Sequence, residues 1–135
     1  MTTTILTLHA VLGILSVVTS VFAVKSRAPA ALRRWTGRLF FVLCAQEALG
    51  DALYPTYLRV AKPALVLLTT GSRSAADLFD VKEHLAFFAL VLGAGAAVAA
   101  RDSAGPIART LTTLTHATIV LTATLGLAVS SLKLP

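Results

Sequence analysis

The sequence predicts an all-α integral membrane protein, a four-helix transmembrane bundle that forms one domain over residues 1–135. Two observations support this fold class. Of the 135 residues, 56% are hydrophobic and only 13% are charged, about half of the roughly 25% that is typical of soluble domains. The apolar residues are collected in four stretches, each close to the ~20 residues needed to cross a bilayer once flanking residues are included.

The first helix has one polar face. The four helices are expected at about residues 5–24, 36–54, 75–100 and 106–132. In the first, His9, Gly13, Ser16 and Ser20 recur at helical spacing and therefore lie on a single face. Small residues let membrane helices approach closely, so we expect this face to point into the bundle.

The second helix carries an acidic pair. Glu47 and Asp51 lie one helical turn apart, and Tyr54 follows on the same stripe. We expect the helix to end at Tyr54, because Pro55 disfavours helical geometry at the residue before it. Residues of about 55–73 then form an interfacial or re-entrant segment, whose apolar run is too short to span the membrane.

The third and fourth helices contain the remaining histidines. The third is expected to open at Ser74 with the spacing of a capping box. Asp80 precedes His84 by four residues, a spacing at which its carboxylate reaches the imidazole. The small residues from Gly93 to Ala100 predict tight helix packing. The fourth helix starts at Pro106, is rich in threonine and contains His116.

Charge placement predicts the orientation. The net charge is +6, and the connection between helices 1 and 2 is basic without any acidic residue. Its cations are Lys25, Arg27, Arg33, Arg34 and Arg38. The positive-inside rule makes this loop cytoplasmic and both termini periplasmic, in a cell inner membrane. Cations at a membrane boundary attract anionic headgroups, so the expected partner is the lipid bilayer and not nucleic acid.

The depths of the polar residues suggest a functional layer. At about 1.5 Å per residue, His9, His84 and Asp51 fall at one level on the outer side of the midplane. Glu47 lies nearer the midplane, and His116 belongs to a second level towards the cytoplasm. A carboxylate in hydrocarbon needs a partner, which makes this layer the candidate site.

Three kinds of site use such a layer. The first is haem b, ligated by His9 and His84 with Gly13 leaving room for the macrocycle; His116 is a further candidate ligand. The second is a metal site for Zn, Fe, Mn or Cu built from His9, His84 and Asp51.

The third has no cofactor. The chain is then an accessory subunit of a larger membrane complex, or a homo-oligomer, with a polar network or proton path made of Glu47, Asp51, Asp80 and Tyr54. The sequence has no nucleotide-binding, nucleophile-elbow or zinc-protease motif, so enzymatic activity of the chain by itself is not predicted.

Two motifs resemble those of a known family. "HAVLG" at His9–Gly13 and "RRWTGRLF" at Arg33–Phe40 resemble an uncharacterised family of small bacterial four-helix membrane proteins, distantly similar to haem-b membrane cytochromes and ferric reductases. The resemblance implies haem b and electron transport, with His84 and His116 as further histidines. The family pattern has a histidine where this chain has Arg33, which leaves His116 without the mate that a second haem needs.

Overall fold

Four long helices make up the fold in the computed structural model, which describes residues 2–63 and 74–131. In chain order these are α1 (Thr2–Lys25), α2 (Pro29–Thr56), α3 (Ser74–Asp102) and α4 (Pro106–Ser131). A five-residue π-helical turn, Tyr57–Ala61, follows α2. No strand occurs within the described ranges, so the all-α prediction is confirmed there.

Three of these helices are long and apolar enough to cross a membrane. Within the described residues these spans are Thr3–Lys25, Asp77–Asp102 and Pro106–Val129. The helix α2 is not among them, because its arginines and its two acids lower its hydropathy. Its 28 residues still reach about 42 Å at about 1.5 Å each, which is long enough to follow the other three helices through a bilayer.

The distribution of side chains is that of a protein in lipid. Large apolar residues are exposed along the outer faces, such as Ile14 at 68% and Phe41 at 74%. Small hydroxyl residues are buried instead: Ser16, Thr19, Ser20, Ser26, Thr36, Thr112, Thr115 and Thr122. Most of these hydroxyls donate to a carbonyl of their own helix, such as Thr115 to Leu111 O at 2.7 Å. They therefore need no partner from another helix.

The predicted limits of α2 are wrong at both ends. The helix begins at Pro29, where a proline suits the first turn because its missing N–H would have no helical partner. It also continues through Pro55 to Thr56. The π-helical turn that follows absorbs the disruption, because a proline removes one backbone hydrogen bond and crowds the preceding turn. The predicted interfacial segment is thus helical up to Pro63, and its residues 64–73 lie outside the described part.

The helices form a ring in which each packs on its two sequence neighbours, with α4 returning to α1. The contact between α3 and α4 is the most extensive, and Ala96 and Ala100 are fully buried, which confirms the small-residue packing face. Where α3 meets α2, a Cβ on Gly93 would lie only 2.8 Å from Leu43 Cδ1.

Short connections and an apolar layer close one end of the bundle. We call this end, which holds the α1–α2 and α3–α4 connections, the basic end. There Arg109 donates to the carbonyls of Ser26 at 3.2 Å and Arg27 at 2.7 Å, fastening the start of α4 to the end of α1. An apolar layer crosses the interior nearby, made of Ala23, Leu39, Leu43, Ala89 and Ile119.

Candidate functional site

All four helices line a small interior cavity with several polar side chains in its wall, which we call the chamber. It lies in the half of the bundle nearer the start of α1, on the far side of the apolar layer from the basic end, and its volume is about 110 Å³. Most of its wall consists of small or apolar residues. The polar side chains in the wall are those of His9, Ser16, Gln46, Glu47, Lys82 and Thr122.

The imidazole of His9 is held by α2. Its Nδ1 lies 3.2 Å from the backbone carbonyl oxygen of Gln46, which can only accept, so Nδ1 carries the proton and Nε2 is the acceptor nitrogen. A Cβ on Gly50 would come within 3.4 Å of the His9 Cε1 atom. A glycine at this position therefore leaves the space that the ring occupies.

The two acids of α2 have different surroundings. Glu47 is half-buried and lines the chamber, whereas Asp51 is exposed and does not line it. Asp51 lies one turn beyond Glu47, past the contact between Gly50 and His9 and closer to the end of the bundle. The prediction that Asp51 shares an interior layer with His9 is therefore wrong.

The side chain of Lys82 borders the chamber. Its stem passes α4, where a Cβ on Gly126 would lie 3.6 Å from the Lys82 Cε atom. Its ammonium pairs with the carboxylate of Glu83 and lies 4.7 Å above the ring of Phe79. The chamber wall thus includes the side chains of a histidine, a glutamate and a lysine.

One buried polar atom of a chamber residue has no hydrogen-bond partner in the described part of the chain. The Oε1 atom of Gln46 is buried and accepts no hydrogen bond from the described residues. Buried acceptors in proteins are nearly always bonded, frequently to ordered water. The chamber volume is sufficient for several water molecules, since each fills about 30 Å³ of the liquid.

His84 lies outside the chamber. It is exposed, and its Nδ1 donates to the Asp80 backbone carbonyl at 2.7 Å. The carboxylate of Asp80 pairs with Lys62 at 2.9 Å instead. The expected hydrogen bond between that carboxylate and His84 is therefore wrong.

The packing of α3 explains the position of His84. The residues of this helix that point inward recur every three or four positions: Lys82, Ala86, Ala89, Gly93, Ala96 and Ala100. At about 100° per residue, His84 lies about 200° around the helix from Lys82 and on the outer side. The inward position of Lys82 and the outward position of His84 were missed from the sequence, and this stripe is the sequence signal that could have predicted both.

The arrangement does not favour a haem between His9 and His84. The two imidazoles lie on opposite sides of the wall formed by α3, and the chamber is smaller than the roughly 300–1,000 Å³ typical of ligand pockets. Among the described residues, no three His, Cys, Asp or Glu side chains are grouped to hold a metal ion. The predicted metal set of His9, His84 and Asp51 is thus not assembled.

The third histidine joins two helices near the basic end. The Nδ1 atom of His116 lies 2.8 Å from Ser20 Oγ, and that hydroxyl lies 2.7 Å from the carbonyl oxygen of Val17. Ser20 donates to the carbonyl and accepts from Nδ1–H of His116. The pair lies roughly 16 Å from His9 along α1, so the two interior histidines belong to separate levels, as predicted.

Tyr54 does not belong to the chamber. Its ring is exposed and lies 5.9 Å from that of Tyr57. Tyr57, to which the sequence analysis assigns no role, is buried and stacks on Phe79 at 3.6 Å, joining the end of α2 to α3. The expected network of Glu47, Asp51, Asp80 and Tyr54 is therefore dispersed, and only Glu47 lines the chamber.

Comparison with known proteins adds no relative. No protein-family model, curated protein or solved structure matches this chain. The resemblance based on the two motifs therefore stays a prediction.

Proposed function

We propose that this chain is a subunit of a larger membrane complex and that the chamber is a protonation site within the bilayer. The proposal rests on one observation: Glu47 and His9, a carboxylic acid and an imidazole, line one interior cavity together with the side chain of Lys82. Charged groups at membrane depth are costly, and they typically belong to ion or proton pathways when they occur. Packing of four apolar helices does not require them.

The chemistry proposed for the chamber is reversible proton uptake. Glu47 takes up a proton as its carboxyl group and releases it as the carboxylate, while the acceptor nitrogen of His9 provides a second protonation site. The unpartnered Oε1 of Gln46 supports water in the chamber, through which protons pass between the two groups. The apolar layer beneath the chamber blocks a simple leak towards the basic end.

The proposal includes an orientation. Residues 25–46 contain no acidic residue. Seven of the twelve Lys and Arg side chains of the chain lie in or beside the two connections of the basic end, among them Arg101 and Arg109. The positive-inside rule therefore supports a multi-pass protein of a bacterial inner membrane with this end in the cytoplasm. Both termini, and the end nearer the chamber, then face the periplasm.

Labelling with a hydrophobic carbodiimide tests the protonation site. Dicyclohexylcarbodiimide enters bilayers and adds to protonated carboxyl groups, and peptide mass spectrometry locates the adduct. In purified protein reconstituted into vesicles, we expect labelling at Glu47 that decreases as the pH rises. Glu47→Gln removes it. Asp51→Asn is the matched control, one turn away on the same helix, and leaves Glu47 labelling unchanged because Asp51 is exposed outside the chamber.

Two outcomes contradict the proposal. Absence of adduct at Glu47 in a helical, folded sample means that the chamber does not hold a protonated carboxyl group. Equal labelling at Asp51 means that burial in the chamber confers no selectivity. For the assembly, native electrophoresis of membranes in mild detergent is expected to show a species well above the 14.1 kDa of the single chain.

The same preparation tests the haem b predicted from the motifs. A Soret band, with sharp α and β bands after dithionite reduction, indicates a six-coordinate b haem, and loss of these bands in His84→Ala identifies a ligand. A spectrum without visible bands, in protein purified without cofactor loss, supports the cofactor-free subunit.

A further inference from the structure

A second cavity lies on the outside of the bundle, between α1 and α2 towards the basic end. Its volume is about 620 Å³, within the range typical of ligand pockets (roughly 300–1,000 Å³). One part of its lining is cationic and aromatic, with Arg34, Trp35 and Arg38. The other part is apolar, with Leu15 and Phe41. We call this cavity the α1–α2 groove.

We propose that the α1–α2 groove binds an anionic phospholipid of the surrounding bilayer. The phosphate lies at the guanidinium groups of Arg34 and Arg38, and one acyl chain lies along Leu15 and Phe41. This inference does not depend on the chamber or on its protonation, because no residue lines both the chamber and the groove.

The charges of the groove suit a phosphate. Arg34 and Arg38 lie one helical turn apart on α2, and both are exposed. None of the described residues that line the groove is acidic, so these guanidinium groups face no carboxylate within it. Arginine presents a planar set of donors that matches phosphate oxygens, and basic pockets between membrane helices bind anionic headgroups in this way.

Aromatic stacking holds one of these cations in position. The guanidinium carbon of Arg38 lies 4.9 Å from the centre of the Trp35 ring. That ring in turn stacks on Phe22 of α1, with 4.7 Å between the ring centres and 16° between their planes. A cation over an aromatic face keeps its charge while its side chain loses freedom, which reduces the entropy cost of binding an anion.

The order of residues along α2 follows the order of groups in a phospholipid. Arg34 lies about 8 Å from the start of α2 at about 1.5 Å per residue, whereas Phe41 lies about 18 Å from it. The cations are therefore near the basic end and the membrane boundary, and the apolar part extends inward to Phe41. Across the groove, Leu15 of α1 is exposed at a corresponding depth.

A glycine keeps the middle of the groove open. A Cβ added to Gly37 would meet no atom within 4 Å, so no neighbouring helix requires a glycine here. Glycine inside a helix is less favourable than alanine. A lipid in the groove explains why a glycine stands at position 37, because Gly37 leaves the space beside its backbone to the lipid.

Fluorescence of the single tryptophan tests the proposal, because Trp35 lies in the groove. The protein is reconstituted into phosphatidylcholine vesicles that contain increasing fractions of brominated phosphatidylglycerol or, in parallel, brominated phosphatidylcholine. Bromine quenches a nearby indole, and each variant is normalised to its own unquenched signal. We expect brominated phosphatidylglycerol to reach a given level of quenching at a mole fraction at least tenfold lower than brominated phosphatidylcholine. Each cation near an anionic lipid contributes about fivefold to the affinity, and the groove has two.

Matched variants locate the effect. Arg34→Gln with Arg38→Gln is expected to remove the preference for the anionic lipid. Arg33→Gln removes an adjacent charge that does not line the groove. This variant is expected to keep most of the preference for the anionic lipid. Gly37→Leu fills the groove and is expected to reduce quenching by both lipids without changing net charge.

Three outcomes overturn the proposal. The first is equal quenching by the two brominated lipids in the unaltered protein. The second is a loss of preference in Arg33→Gln as large as in the double variant, which means that the attraction belongs to the whole basic end. The third is displacement of the lipid by millimolar inorganic phosphate at constant ionic strength, which indicates a site for a free anion.

Discussion

The closest helix contact predicts opposite effects for two glycines on α3. Gly93→Ala places a Cβ 2.8 Å from Leu43 Cδ1, closer than carbon atoms approach in folded proteins. Gly95→Ala places a Cβ 3.5 Å from Leu111 Cδ1, an ordinary van der Waals contact. Both changes replace glycine inside the same helix, so both gain roughly 0.5–1 kcal/mol of helix stability. The difference between the two variants therefore measures the steric term alone.

The magnitude follows from the surroundings of Leu43. This residue is 6% exposed and belongs to the apolar layer, and overpacking such a site costs about 1–3 kcal/mol. Gly95→Ala is expected to stabilise the bundle, and Gly93→Ala is expected to be less stable than Gly95→Ala by about 1–3 kcal/mol.

The assay is reversible unfolding in mixed micelles of mild detergent and dodecyl sulfate, followed by circular dichroism. If Gly93→Ala is as stable as Gly95→Ala, then α2 and α3 do not approach as closely as Gly93 and Leu43 indicate. A loss of stability in Gly95→Ala instead means that α3 is rotated from the position described.

Two further predictions concern the chamber and the end of α2. Gly50→Leu is expected to displace the His9 ring and break its hydrogen bond to the Gln46 carbonyl, at a cost of about 0.5–1.5 kcal/mol; an unchanged nitrogen NMR shift of His9 would contradict this. The Lys62 pKa is raised chiefly by its hydrogen bond to Asp80, so this pair stabilises the fold below the ordinary lysine pKa of 10.5 and is lost as pH rises above it. As the pH rises above 10.5, the thermal unfolding midpoint of the unaltered protein is then expected to fall slightly more than that of Lys62→Met. Parallel curves of midpoint against pH for the two proteins would refute the contribution.

The predictions that were confirmed depend on patterns within a single helix. The polar face of α1 is recognisable because His9, Gly13, Ser16 and Ser20 recur at helical spacing. Both serines are buried, and His9, Gly13 and Ser16 line the chamber. Most threonines of α4, a helix that the sequence marks as rich in threonine, bond their own backbone. Apolar stretches of sufficient length identified three spans directly.

The predictions that failed assumed that equal depth brings residues together. His9, His84 and Asp51 were placed in one layer by counting residues along each helix. Depth along an axis does not specify rotation about it. His84 points outward because the small residues of α3 occupy the packed face, and Asp51 is exposed because it lies beyond the chamber.

The sequence by itself determined the membrane environment, the all-α fold and the inward face of α1, because these follow from composition and from spacing within one helix. Only the tertiary structure decided that Glu47, and not Asp51, shares a cavity with His9, and that Lys82 joins them from α3. It also placed His116 against Ser20. The physical reason is that close packing between helices fixes their rotation, and the residues responsible, such as Gly93 and Leu43, are distant in sequence from those they bring together.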